Sequence, residues 1–488
     1  MSLAKQTIGY MVATVFIRMQ AFLLIPFVTR FVPKVDLSVF ETLLTYATVV
    51  GMFSVLGLDG ALATLYRHPD YEKRRRTMGG TVVLLVGAVS LLAGAGLMAF
   101  TGYIEQTVFH GLWDLNVEMA LASAGVVAGS LQHVLANILR QEFQVKKFNI
   151  AVIGGGLLSF AATLVVVIWL ECGIRGMLAV VLATGLLKLG LMLWWTRPYL
   201  TFAWDRALIR RMLLLGLPLL PLSVCGWLIS GFDRTLLQMW RSSGEVMDYA
   251  MANKFAMLAT VVTSAFQTAW WPYAMNKARD PGIGLHFQQA CRVACVCGAL
   301  LAAVVAAGTP VAMWLLLEPE YHQSFRTTGL QVLANVINTY YYFPLVSLLV
   351  MMKIKTEVLG YLAGMAVTVA LDIVLVKPLG PAGAALASVF GYLALAAIVG
   401  RLGRKFFDFG FPLGRTELFL AASAAALSVW VWRPTENIGQ LISNALISFA
   451  VIGVAGLLTG LLRRGDWGCV RTLLEKIPRR FRRRPAVS

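Results

Sequence analysis

Charge is scarce in this sequence. Only 14% of its 488 residues are Asp, Glu, Lys or Arg, while 58% are hydrophobic and the mean hydropathy is +0.74. A soluble domain carries about 25% charged residues, so this chain has too little charge for a water-facing surface. That excludes a soluble multidomain enzyme, disorder and a collagen-like repeat. Acidic residues are scarcer than basic ones, 24 against 42, a net charge of +18. The basic residues sit in short clusters between apolar runs, which points to membrane topology and anionic lipid headgroups and not to nucleic acid. Cysteine is sparse, with six residues (Cys172, Cys225, Cys291, Cys295, Cys297 and Cys469). Cys291, Cys295 and Cys297 share one apolar run with no His or carboxylate at ligand spacing and read as small helix-packing residues, so no metal site or other cofactor is expected.

What is present is apolar sequence in lengths that span a bilayer. A spanning helix needs about 20 apolar residues. The pattern predicts about fourteen spans, near positions 8–31, 39–64, 78–100, 116–138, 150–170, 176–196, 212–232, 246–273, 288–309, 326–352, 357–376, 381–400, 416–432 and 438–462. The run from Ile8 is too long for a signal-peptide core and reads as the first span. Most Lys and Arg fall in alternate loops, among them Arg67 and Lys73–Arg76, Lys146 and Lys147, Arg210 and Arg211, and Arg401–Lys405. Basic loops stay inside, so both termini are expected to be cytoplasmic. The opposite loops are short, which argues against a membrane glycosyltransferase or polymerase with a large external catalytic loop. The tail 463–488 places Trp467, Val470, Leu474, Ile477 and Phe481 at helical spacing among Arg and Lys, and reads as a basic amphipathic helix lying on the inner leaflet.

Two features recur six spans apart. Gly173-Ile174-Arg175-Gly176 and Gly380-Pro381-Ala382-Gly383 each offer a Gly-x-x-Gly turn opening a helix of small residues. His133, Asn137, Arg140 and Gln144 form a polar stripe at 4-3-4 spacing on the fourth span, and Gln331, Asn335, Asn338 and Tyr342 form one on the tenth. Amides facing lipid are costly, so both stripes should face a partner helix or a wet cavity. The expected plan is a six-helix lobe at 1–208, a second at 209–405, two further spans at 406–462 and the tail. Repeats with a midplane site between them are the pattern of a transporter working by alternating access.

Five cations lie within or at the ends of spans: Arg18, Arg30, Lys188, Arg234 and Lys254. An arginine at bilayer depth costs about 2.5–3.5 kcal/mol or more, so a carboxylate or a ligand must offset it. Arg binds phosphate bidentately, so this excess of positive charge suits an anionic substrate such as a pyrophosphate. Asp59, Asp233, Asp248 and Asp372 are candidates for charge pairing or for holding a coupling H⁺ or Na⁺. Asp233 reads as a local partner of Arg234. Lys254 could pair with Asp248, although six residues is a poor helical spacing. Pro26, Pro218, Pro221 and Pro344 should kink or hinge their helices. The aromatic runs Trp270–Tyr273 and Tyr340–Phe343 read mostly as interface anchors, with some able to stack on sugar rings.

The sequence resembles the polysaccharide (Wzx-type) flippase branch of the multidrug/oligosaccharidyl-lipid/polysaccharide (MOP) exporter superfamily. The likeness rests on Phe22-Leu23-Leu24-Ile25-Pro26-Phe27-Val28-Thr29-Arg30-Phe31, Leu56-Gly57-Leu58-Asp59-Gly60-Ala61, Phe232-Asp233-Arg234-Thr235-Leu236-Leu237 and the turn at Gly380–Ala385. Met247-Asp248-Tyr249-Ala250 departs from it, since that branch commonly has Gly before the Tyr. The resemblance implies an all-α, V-shaped MOP/MATE-like transporter in a bacterial inner membrane, moving an undecaprenyl-pyrophosphate-linked oligosaccharide for polysaccharide export. Arg18 and Arg30 match basic positions expected to hold the pyrophosphate. A polymerase and export machinery become candidate partners, beside membrane lipids. The alternatives are a flippase for a peptidoglycan lipid-linked precursor and a small-molecule cation antiporter of the same superfamily. A cavity for cations should be acidic, and this one reads as basic.

Overall fold

The computed structural model describes residues 3–66, 69–280, 282–351, 353–433, 435 and 437–462. The amphipathic tail expected at 463–488 lies outside the described residues. Among them there is no strand. The helices run α1 Leu3–Phe31, α2 Lys34–Val55, α3 Leu58–Leu65, α4 Arg75–Ala99, α5 Thr101–Thr107, α6 Asn116–Gln141, α7 Val145–Asn149, α8 Gly155–Leu164, α9 Gly173–Thr196 and α10 Arg206–Gly216. They continue with α11 Leu220–Trp240, α12 Ser243–Lys277, α13 Ile283–Leu316, α14 Thr328–Val350, α15 Ile354–Leu379, α16 Pro381–Arg404, α17 Arg415–Leu427, α18 Val429–Trp432 and α19 Ile438–Leu458.

Ten helical stretches among the described residues are long and apolar enough to cross a bilayer. The other four expected spans coincide with α1, α11, α12 and the broken pair α17–α18. The chain is a multi-pass, all-helical membrane protein. Near 205–240 the expected seventh span is two helices, α10 and α11, separated by a 3₁₀ turn at Leu217–Leu219 that contains Pro218. Proline withdraws a backbone donor and its ring collides with the preceding turn, which breaks the helix there.

Lipid tails are as apolar as leucine, so burial of apolar area does little to hold such helices together. Close backbone approach and internal hydrogen bonding do more. Both are visible. Several hydroxyls bond within their own helices: Thr29 donates to the Ile25 carbonyl at 2.9 Å, Thr184 to Val180 at 2.7 Å and Ser423 to Phe419 at 2.8 Å. The chain breaks between α2 and α3 with Leu56 and Gly57 both left-handed, at φ +54° and +65°. A Cβ on Gly57 would lie 2.3 Å from the carbonyl oxygen of Gly216, so two helix breaks cross at bare backbone.

The two Gly-x-x-Gly turns have matching geometry. Gly173 and Gly380 sit at φ +55° and +57° and open α9 and α16. The second glycine of each is closely packed: a Cβ on Gly176 would meet the Val166 side chain at 2.3 Å, and one on Gly383 the Leu375 carbonyl oxygen at 2.1 Å.

By packing, the chain forms two compact units. The first comprises Met1–Val261, Thr309–Phe325 and Met365–Ala387; the second comprises Val262–Gly308, Arg326–Gly364 and Ser388–Ser488. These units are defined by packing, whereas the lobes expected at 1–208 and 209–405 rest on a repeat read in the sequence. The first unit has a core of α3, α4, α6, α9 and α10 side chains, including Leu62, Met78, Leu135, Ile138, Met192 and Met212. The second is built on aromatics: Trp270 lies 4.4 Å from Phe343 and 5.0 Å from Phe287 between ring centroids, and Phe287 lies 5.1 Å from Phe409.

Candidate functional site: a cationic cleft in the first unit

Glycine builds the walls of this site. α8 begins with Gly155-Gly156, between two five-residue π-helical segments, Ile150–Gly154 and Val165–Trp169. Such segments widen a helix by one residue per turn and recur at functional sites. A Cβ on Gly155 would press on the Lys188 stem at 3.1 Å, and one on Gly156 would collide with Gln20 Oε1 at 2.4 Å. The bare turn therefore seats both side chains. Gln20 Nε2 donates to the Gly156 carbonyl at 2.6 Å, and Gln132 Nε2 donates to that of Gly185 at 2.8 Å.

Above these glycines is a cleft of about 350 Å³ lined by Arg18, Gln132, His133, Arg140, Phe148 and Lys188, among others. A second cleft of about 310 Å³ shares Ile17, Gly129, Gln132, Val152 and Lys188 with it and adds Gln20, Ser159 and Thr184. A third, about 400 Å³, shares Gly129 and His133 and reaches Asp59 and Ser223. Arg18 donates to the Thr260 hydroxyl. Arg140 lies 5.2 Å from the Phe148 ring centroid. His133 Nε2 is 3.6 Å from Asp59 Oδ2, and Asn137 Nδ2 donates to the Asp59 carbonyl at 3.2 Å. Among the described residues no carboxylate pairs with Arg18 or Lys188. The arrangement can hold a multiply charged anion, with guanidinium and ammonium groups as donors and glutamine amides beside them.

The remaining expected cations lie elsewhere. Arg30 pairs with Glu318 at 3.1 Å. Lys254 pairs with Glu41, and Asp248 accepts from Lys34 at 2.6 Å. The anticipated Lys254–Asp248 contact is therefore corrected: each has a better-placed partner on α2, and six residues along α12 set the two on different faces. Arg234 Nη2 donates to Asn253 Oδ1 at 3.0 Å. Asp233 accepts from the Arg234 backbone N–H at 2.8 Å and from the Tyr249 hydroxyl, not from the guanidinium. Asp233 and Asp372 are both buried, and Asp372 Oδ1 has no partner among the described residues.

The α14 stripe divides. Gln331 Nε2 donates to the Thr327 hydroxyl at the N-cap at 3.2 Å and Asn335 Nδ2 to the Gln331 carbonyl at 3.0 Å, so both amide N–H groups find local acceptors. Asn338 and Tyr342 are half-buried. The sequence reading missed Glu41, Lys34, Gln20, Gln132 and Thr260. Glu41 was visible as a carboxylate inside a span; the others carry no local signal.

Residues 3–276 match the model of a family described as polysaccharide biosynthesis protein. The chain belongs to that family. No curated protein matches its sequence. As a family member it shares its fold with solved MOP transporters. The lipid II flippase MurJ in an inward closed conformation aligns at TM-score 0.64 and 14% identity, covering 92% of this chain and 97% of that one. An inward-facing multidrug resistance MATE family transporter of the MOP superfamily aligns at TM-score 0.61 and 16% identity, covering 80% and 94%. A MOP superfamily transporter from Pyrococcus furiosus, whose binding pocket is described as having reverse polarity, aligns at 0.53 and 14%, covering 82% and 95%. At such identities the likeness is one of fold, and the all-helical MOP transporter architecture anticipated from the sequence is the one observed.

Proposed function

We propose that this protein flips an undecaprenyl-pyrophosphate-linked oligosaccharide across a bacterial inner membrane for polysaccharide export, with its termini in the cytoplasm. The observation that carries this reading is the cationic cleft, where Arg18 and Lys188 face one space without a carboxylate partner among the described residues. Cations left unneutralised at bilayer depth are offset only by a ligand, and a pyrophosphate supplies the charge. The family match supports a saccharide on that phosphate. The lipid tail stays in the bilayer while the headgroup passes through the cleft, and the two repeat lobes rock to alternate access. Asp233 and Asp372, buried carboxylates on α11 and α15, are the candidates for an H⁺ or Na⁺ that resets the cycle.

A lipid-linked cell-wall precursor has the same pyrophosphate chemistry, and the fold shared with MurJ keeps it as the second reading. A cation antiporter is disfavoured by the sign of the cleft. The test is complementation in cells lacking their own copy. Arg18→Ala and Lys188→Ala are each expected to abolish polymer export at equal membrane abundance. Wild-type output from both variants rejects the cationic-cleft mechanism.

A further inference from the structure

The second unit contains a half-exposed aromatic corner that its core does not use. Of the two aromatic runs, Trp270, Tyr340, Tyr341 and Phe343 are buried and hold the unit together. Trp271 and Tyr342 are only half-buried. Their ring centroids are 6.2 Å apart and their planes stand at 85°. Neither the Trp271 indole N–H nor the Tyr342 hydroxyl has a hydrogen-bond partner among the described residues. Glu357, also half-buried, accepts from the Tyr341 hydroxyl at 3.4 Å, and Tyr341 lies 5.6 Å from Tyr342 and 5.7 Å from Tyr361 between ring centroids. Tyr342 continues the α14 stripe one turn beyond Asn338, whose amide also has no protein partner among the described residues. A stripe with an unsatisfied amide does not face lipid tails, and the partial exposure of Trp271, Asn338, Tyr342 and Glu357 leaves their polar groups open to a ligand.

We propose that Trp271, Tyr342 and Glu357 form a saccharide subsite. Two rings at right angles present one flat face and one edge, which fits the apolar C–H face of a pyranose. The indole N–H, the phenol and the carboxylate supply a donor, a donor–acceptor and an acceptor for sugar hydroxyls. The subsite rests on the proposed lipid-linked oligosaccharide and names the part of the protein that recognises its sugar, as distinct from its pyrophosphate.

The test measures binding to the full-length protein in nanodiscs. It uses two probes: undecaprenyl pyrophosphate, and the oligosaccharide-bearing undecaprenyl pyrophosphate extracted from polymerase-deficient source cells. Trp271→Ala and Tyr342→Ala should each weaken the sugar-bearing probe about tenfold, the scale of one lost aromatic contact, and leave the bare lipid unchanged. Trp271→Phe should recover most of the loss, which keeps the result clear of misfolding. Equal effects on both probes, or none on either, overturn the subsite and leave Trp271 as an interface anchor. Arg18→Ala should weaken both probes. If it weakens neither, the pyrophosphate reading fails whatever the aromatic variants do.

Discussion

Two groups of basic residues lie within or at the ends of the spans of this protein, and they differ in what neutralises them. Arg30, Lys34 and Lys254 each have a carboxylate: Glu318, Asp248 and Glu41. Around Lys34 the network is dense, with the Glu320 carbonyl accepting at 2.9 Å, the Tyr321 ring 5.3 Å away and the Ser324 hydroxyl donating to Asp248. Arg18 and Lys188 have no carboxylate partner among the described residues, and they share their cleft with Arg140. The first group is structural, because a permanent partner balances the charge. Under the proposed function, the second is offset by a substrate that arrives and leaves.

That contrast is open to direct attack. The largest effect should come from Arg18→Met, which is expected to cut transport about a hundredfold or more while leaving the melting temperature in detergent unchanged. A large drop in melting temperature instead would place Arg18 in the structural group. Next is Lys254→Met, which strands Glu41 in a mostly buried site and should destabilise by about 3–5 kcal/mol. The double variant Glu41→Leu/Lys254→Met should restore most of that, as read by denaturant or thermal unfolding. Lys34→Ala removes a charge-assisted bond and a bond to a carbonyl, so a loss of about 1.5–3 kcal/mol is expected. Arg30→Ala should be smallest, about 0–1 kcal/mol, because this pair is largely exposed and screened. A cost for Arg30 equal to that of Lys254 would break the distinction.

The helices were legible because hydrophobic run length and basic loops are local signals, and so were the turns at Gly173 and Gly380, where positive φ has a residue-level cause. Charge pairing was not legible. The spacing rule detects partners three or four residues apart, as in Arg241–Glu245 at 2.7 Å. It is blind to Lys254 and Glu41, which belong to different helices far apart in the chain. The cationic cleft was half legible. The types of Arg18, His133, Arg140 and Lys188 were readable, but their convergence depends on how α1, α6 and α9 pack. Likewise, Asn335 and Asn338 look equivalent on a wheel, and only the first has its amide satisfied by a carbonyl of its own helix.

The crossing of Gly57 and Gly216 has one more implication. Most tight spots in a protein can be repaired by trimming whatever stands in the way. Here the obstruction is main-chain oxygen, which no mutation elsewhere can make smaller. A methyl group added at residue 57 therefore has no second-site suppressor of the ordinary kind, and a genetic screen for rescue of Gly57→Ala should return revertants to glycine and little else.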